Sequence, residues 1–219
     1  VCGRFTLTTP GEALAEAFGL DQVPELEARY NIAPTQAVLA VRRRSGGPGR
    51  EAVRLEWGLS RPGERSERPM INARSETAAS LPSFRDAFRR RRCLIPADGF
   101  YEWRREGRRR QPYYVRRQDG APLAFAGLWE PAPQGPGTCT ILTTEPNELL
   151  LAIHDRMPAI LAPADHDRWL DPAAEAPAPL LPLLRPYPAA ALMAYPVDPW
   201  VNDAAHDGPA CVEPQRRLL

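Results

Sequence analysis

The sequence predicts an α+β fold, a β-rich single domain over residues 1–219 with a curved antiparallel or mixed sheet, or a barrel-like core, and short peripheral helices. Three observations predict it. A chain of 219 residues at 43% hydrophobic content has room for one substantial core. Strand-like runs separated by turn residues dominate residues 93–143, and helical periodicity occurs only in brief segments between strands. No internal repeat divides the chain, and the proline-rich stretch 171–190 reads as an irregular surface excursion, because a strand-like segment follows it.

The elements follow in order. Thr9-Pro10-Gly11-Glu12 gives an N-cap, a proline at the first helical position and a capping-box glutamate, with Leu14 and Phe18 four apart before Gly19, so a helix is expected at 10–18. Residues 37–41 and 52–57 flank Gly46-Gly47-Pro48-Gly49 and read as a hairpin. Residues 82–88 read as a helix with Phe84 and Phe88 on one face, ending in the arginines 89–92. From Cys93 the texture turns to strands at 93–95, 100–103, 113–115 and 123–126, with turns near Gly107 and Gly120, which predicts a meander. A strand at 138–143 follows, then a cap at Thr144-Glu145-Pro146-Asn147 before a helix carrying Leu149, Leu150 and Ile153. A last short helix is expected around 165–170.

Charge is distributed unevenly. Residues 1–84 carry 11 arginines against 10 acids, 85–117 carry 12 against 4, and 118–219 carry 5 against 13, so the net charges are +1, +8 and −8. The middle stretch reads as a basic stripe suited to phosphates, or as a solvated face. Every basic residue is arginine, so only the α-amine can form a Schiff base. The four cysteines are far apart in sequence, which excludes a C-x-x-C zinc pair or a disulfide framework and leads us to expect reduced thiols, no metal and no cofactor. There is no run of eighteen apolar residues and no signal-peptide pattern, so the expectation is a cytoplasmic protein without membrane contact.

Cys2 carries the chemistry. Once what precedes it is removed, an amine of pKa about 7.7–8.0 and a thiol of about 8.5 stand on one carbon skeleton and close a thiazolidine ring on an aldehyde. The bland reading of such a cysteine is a small buried apolar residue. Asn72 and Arg74 are two apart, on one side of an extended segment. They suit a sugar oxygen and a phosphate. Glu102 shares the face of Phe100, where an apolar setting raises its pKa and fits it for proton transfer, unless it stands on an exposed edge. His154 follows a helix among charged residues; His166 and His206 look ordinary.

The segments Cys2-Gly3-Arg4-Phe5, Arg29-Tyr30-Asn31-Ile32-Ala33-Pro34, Trp57-Gly58-Leu59, Asn72-Ala73-Arg74-Ser75-Glu76-Thr77, Arg92-Cys93-Leu94-Ile95-Pro96-Ala97-Asp98-Gly99-Phe100-Tyr101-Glu102-Trp103, Ala126-Gly127-Leu128-Trp129 and Ile153-His154-Asp155-Arg156-Met157-Pro158 resemble, in order, the SRAP family of SOS-response-associated peptidases. The resemblance covers about residues 2–161, with a weaker tail at Val201-Asn202. It implies a β-rich fold with a basic groove for single-stranded DNA containing abasic sites, in which Cys2 is crosslinked to the opened sugar through a thiazolidine. By the same resemblance Asn72 contacts that sugar, and Glu102 assists proton transfers in ring closure and N-terminal processing. His154 then serves as acid or base at the sugar hydroxyl, including in reversal. Arg4, Asn31, Pro34, Arg74, Thr143 and Arg156 line the DNA backbone and the abasic pocket. A monomer, nucleoid-associated when DNA is bound, is expected. Two other readings stay open: a cysteine hydrolase acting in trans, with His154 or Glu102 as base, and a non-covalent reader of single-stranded or modified DNA.

Two features depart from the family pattern. Residues 60–69 hold no aromatic where some members carry a wedge against the base stack, so either DNA is held less tightly or Arg65 and Arg68 substitute through their planes. Val1 stands where methionine is expected; an alternative start codon read literally explains it, whereas a retained valine blocks the amine.

Overall fold

Residues 2–60 and 69–215 are described by the structure, a computed structural model. Both Val1 and the aromatic-free stretch with Arg65 and Arg68 therefore lie outside the described residues. Strand β1 (Phe5–Leu7) leads to helix α1 (Gly11–Phe18), then to strands β2 (Arg29–Ile32), β3 (Ala37–Arg43), β4 (Arg50–Trp57) and β5 (Asn72–Arg74). Helices α2 (Ser75–Ala78) and α3 (Arg85–Arg90) precede β6 (Arg92–Ala97), β7 (Gly99–Glu106), β8 (Arg109–Arg117), β9 (Leu123–Glu130) and β10 (Thr138–Thr144). Helix α4 (Glu148–Leu151), strand β11 (Met157–Pro158), helix α5 (His166–Leu170) and strand β12 (Leu192–Pro196) complete the order. No helix among them is long and apolar enough to cross a membrane.

Two sheets form. One runs β12-β8-β7-β1-β2. In the other the pairings β10–β4, β4–β3, β3–β6, β6–β9 and β9–β10 close on themselves, so the barrel-like core is real, with β5 and β11 also seated on β10. Closure removes sheet edges that would otherwise expose unpaired backbone groups. The five-stranded sheet packs on the barrel through Phe5 and Phe100, which meet Trp57 and Phe125 edge-on at centroid distances of 5.1–5.9 Å. Burying each such ring is worth about 1.5–3 kcal/mol, which makes this contact a main source of the core's stability.

The predicted meander is corrected. β7 and β8 form a hairpin in one sheet, whereas β6 and β9 pair with each other in the barrel. The chain changes sheets at Asp98, whose carboxylate takes the hydroxyls of Thr8 (2.7 Å) and Thr9 (2.5 Å), and the far edge of β8 is filled by β12 from the other end of the chain. Thr9 is thereby drawn away from the cap predicted for it, and α1 starts after Pro10 without a side-chain cap; it ends as expected at Gly19, φ 62. The helix expected at 82–88 is displaced to α3, with Phe84 and Phe88 both buried. The helix expected to carry Ile153 stops at Leu151, although Asn147 caps it by accepting from the Leu150 N–H at 2.9 Å. His166 is not on a polar surface: it is 3% exposed and stacked on Phe18, and burial pushes its pKa down to about 4.

The basic stripe is also divided by the topology. Its first half lies on α3 and the start of β6, where Arg92 is buried and Arg91 is paired with Glu130 at 2.7 Å; its second half lies on the β7–β8 hairpin of the other sheet. Charges contiguous in sequence become two separate surfaces.

Candidate functional site

Sheet register decides where Cys2 lies. Phe5 pairs with Phe100 in antiparallel sense, and the Arg4 carbonyl accepts from the Tyr101 N–H at 3.0 Å. Continuing this register toward the chain start brings Gly3 opposite Glu102, and the Glu102 carboxylate accepts from the Cys2 N–H. Phe100 and Glu102, two apart, both point inward, and Glu102 is 1% exposed. From the barrel side, β5 runs parallel to β10 with Asn72 beside Ile141, and the Asn72 amide donates to the Cys2 carbonyl at 3.1 Å. The intervening Ala73 is buried, so Asn72 and Arg74 share the other face as the sequence spacing implied.

His154 arrives from the third direction. Its N–H donates to the Leu150 carbonyl at 2.8 Å, continuing the last turn of α4. The ring Nδ1 accepts from the Arg156 N–H at 3.0 Å, which assigns the proton of the neutral ring to Nε2. The Asp155 carboxylate is also 3.0 Å from Nδ1, but its side chain is 87% exposed and free to rotate, so the backbone donor governs the tautomer. Nε2 faces Glu102 Oε2 at 3.9 Å, beyond hydrogen-bond length.

Electrostatics differ for each group. Burial raises Glu102 to about 7, even though the backbone N–H groups of Cys2 and Trp103 stabilise its carboxylate. Burial pushes the Cys2 thiol well above its ordinary value, and the neighbouring Glu102 adds to this. His154 is lowered, first by burial, and is neutral at pH 7. The site therefore holds a protonated thiol, a carboxyl poised near neutrality and a neutral imidazole. Cys2 is wholly buried, as in the bland reading, and at the same time adjoins the groups that the chemical reading requires.

The remaining residues form two groups. Arg156 makes a two-point contact with Glu76 at 2.6 and 2.9 Å and donates to the Thr143 carbonyl at 2.6 Å, beside the exposed Arg74. Thr143 is 2% exposed. On the other face of the five-stranded sheet, Arg4 donates to Asn31 Oδ1 and the Val201 carbonyl at 3.0 Å and to the Asn202 carbonyl at 3.2 Å. Asn31, fully buried, donates to the carbonyls of Val201, Asp203 and His206. In these positions the side chains of Asn31 and Thr143 hold Arg4 and Arg156 in place. Pro34 is half-buried and precedes Thr35, a β-branched residue at φ 69. A threonine rarely adopts that conformation, so strain is held next to the site. Sequence reasoning missed Glu76 and Thr35; a Ser-Glu-Thr run and a Pro-Thr pair carry no signal for either role. Among the described residues no group of three or more histidines, cysteines, aspartates or glutamates is arranged to hold a metal.

Comparison with known proteins places the chain among relatives of one kind. The family profile described as SOS response associated peptidase (SRAP) matches residues 1–204. The abasic site processing protein YoqW of Bacillus subtilis is 41% identical over 97% of this chain and 99% of its own length. YedK of Escherichia coli, also named an abasic site processing protein, is 34% identical over 78% of this chain and 79% of its own. HMCES of Gallus gallus, likewise so named, is 31% identical over 73% of this chain and 56% of its own. A crystal structure from Bordetella bronchiseptica superposes with a TM-score of 0.77 at 30% identity, covering 90% of this chain and all of that one. Another from Bacteroides thetaiotaomicron gives 0.86 at 24% identity over 98% of this chain and all of that one, which shows the shared fold. The family match over residues 1–204, with 41% identity to YoqW over nearly the whole of both chains, leads to one conclusion: the chain belongs to the SOS response associated peptidase (SRAP) family.

Proposed function

We propose that this protein processes abasic sites in single-stranded DNA by forming a covalent thiazolidine between Cys2 and the opened sugar. The observation that carries the reading is the convergence on Cys2 of the Asn72 amide and the Glu102 carboxyl, with His154 facing Glu102. Its relatives are named for abasic site processing. An abasic site suits such a pocket, because it presents an aldehyde without the cost of extruding a base.

The steps balance as follows. Cleavage ahead of Cys2, with Glu102 as proton carrier, exposes the α-amine. The amine adds to the sugar aldehyde carbon, and the carbinolamine loses water as protonated Glu102 donates to the departing hydroxyl, leaving an iminium. The Cys2 sulfur then adds to the iminium carbon and its proton passes to the Glu102 carboxylate. One water is consumed in the cleavage and one leaves in forming the thiazolidine. A carboxyl with pKa about 7 suits both transfers, since both of its forms are populated at neutral pH. Asn72 holds a sugar oxygen, and His154 exchanges a proton with the sugar hydroxyl in ring opening and in reversal. Arg74 and Arg156 take flanking phosphates; Arg4 and Pro34 bound the pocket, with Asn31 and Thr143 holding Arg4 and Arg156 from behind.

The raised thiol pKa disfavours the hydrolase reading, which needs a standing thiolate. The test is incubation with an oligonucleotide carrying one abasic site, followed by denaturing electrophoresis and intact mass. We expect a denaturation-resistant adduct with the mass of processed protein plus DNA less one water, absent in Cys2→Ala. An equally abundant adduct in Cys2→Ala sinks the proposal.

A further inference from the structure

The β7–β8 hairpin continues past the site into solvent. Glu102 stands opposite Tyr113, Arg104 opposite Gln111, Arg105 opposite Arg110 and Glu106 opposite Arg109. The turn between them places Gly107 at φ 61, the conformation a II′ turn requires of its first central residue. Because side chains alternate, Arg105 and Arg110 share one face, and Glu102, Tyr113 and Arg104 share the other. On that face the Arg104 guanidinium lies 4.8 Å from the Tyr113 ring centre.

The exposed end of this hairpin is electrostatically unfavourable. Five arginines face one glutamate between residues 104 and 110, and that glutamate, Glu106, is already paired with Arg104. Arg105 and Arg110 sit directly across the ladder from each other, both exposed. Like charges so placed weaken a hairpin, and no buried contact at these positions requires arginine. An anion laid across the arm would convert the repulsion into attraction. At about 3.3 Å per residue, Arg105 stands roughly 10 Å beyond Glu102 along β7. That distance suits a strand that leaves the abasic pocket and crosses the edge of the hairpin to the opposite face. Arg110 is near enough for its charge to add to the lowering of His154, which places the arm beside the site.

We propose that this arm is a second binding site for the same single strand, with Arg105 and Arg110, on the face opposite Glu102 and Tyr113, holding backbone phosphates beyond the abasic position. It extends the function proposed above by taking single-stranded DNA as the ligand, but it does not require the covalent step.

The test uses Cys2→Ala protein, in which no thiazolidine forms, and measures binding of fluorescent oligothymidines of about 4 and about 12 nucleotides against salt by anisotropy. Each phosphate contact on a single strand contributes about 0.7 to the slope of log K against log salt, so Arg105→Gln/Arg110→Gln should lower the slope for the long strand by about 1.4. It should also close most of the affinity gap between long and short strands. Arg85→Gln/Arg89→Gln on α3, which removes equal charge away from the arm, should keep the slope. A melting temperature at or above that of the parent verifies the double variant's fold. An unchanged slope and length preference in the double variant overturns the proposal, as does absence of strand binding in the parent. If the arm governs strand binding while protein with intact Cys2 forms no adduct, the covalent reading fails and the arm stands.

Discussion

Glu102 shows how one buried side chain links stability to chemistry. Its carboxyl, ordinarily near 4.5, sits at about 7 because burial penalises the charged form. A raised carboxyl pKa means that the folded state favours the protonated form. Its contribution to stability is intact below the unfolded value and is lost as pH rises through the folded value, here between about 4.5 and 7. Glutamine mimics the protonated form, so Glu102→Gln should be more stable than the parent at pH 8, by on the order of 3 kcal/mol, and equal to it near pH 4.5. Urea denaturation across that range checks this; a constant difference at every pH would falsify it. The same variant should form adduct at least about 100-fold more slowly at pH 7 while still binding the strand, as loss of a general acid–base predicts. The burial of Glu102 was readable from its position two residues after Phe100. The neutrality of His154 was not, because it depends on burial, and its tautomer depends on a backbone donor two residues later.

At the level of elements, Arg92 joins two helices and a strand. Its guanidinium donates to the Phe88 carbonyl and also to that of Arg89, both at the end of α3, and to the Trp169 carbonyl (2.6 Å) and that of Asp171 at the end of α5. Terminal carbonyls of a helix lack intrahelical partners, so one planar cation satisfies both ends at once. Arg92→Lys preserves the charge but cannot span these acceptors, and we expect a loss of roughly 2–4 kcal/mol, measurable as a lower urea midpoint with unchanged slope. In the sequence Arg92 closed a run of arginines and looked like part of a DNA-facing stripe. The strand periodicity that turns it inward belongs to β6, whose six residues are all buried. The β3–β4 hairpin was legible because its alternation and glycine turn are local, whereas the ends of α3 and α4 were not, because tertiary carbonyl acceptors and caps decided them.

For the whole molecule, the decisive feature is the crossing between sheets at Asp98 and Gly99. A side chain at Gly99 would place its Cβ 2.5 Å from both the Val115 carbonyl oxygen and the Tyr114 ring. Gly99→Ala should therefore force β7 away from β8, costing about 2–4 kcal/mol and impairing adduct formation, because the same strand carries Glu102 to Cys2. Thermal melting together with adduct yield checks this; a variant of unchanged stability refutes the account of the crossing. What the sequence by itself determined was the β-rich class and most strand positions, and its ordered motifs singled out Cys2, Asn72, Glu102 and His154 as candidates. These follow from local alternation, turn residues and ordered motifs, which need no knowledge of distant partners. Only the tertiary structure decided that consecutive strands part into two sheets, that the arginine stretch divides between two surfaces, and that Asn31 and Thr143 face inward. Those outcomes depend on pairings between residues far apart in the chain, where barrel closure and the packing of Phe5 and Phe100 outweigh the preference of neighbouring segments for each other.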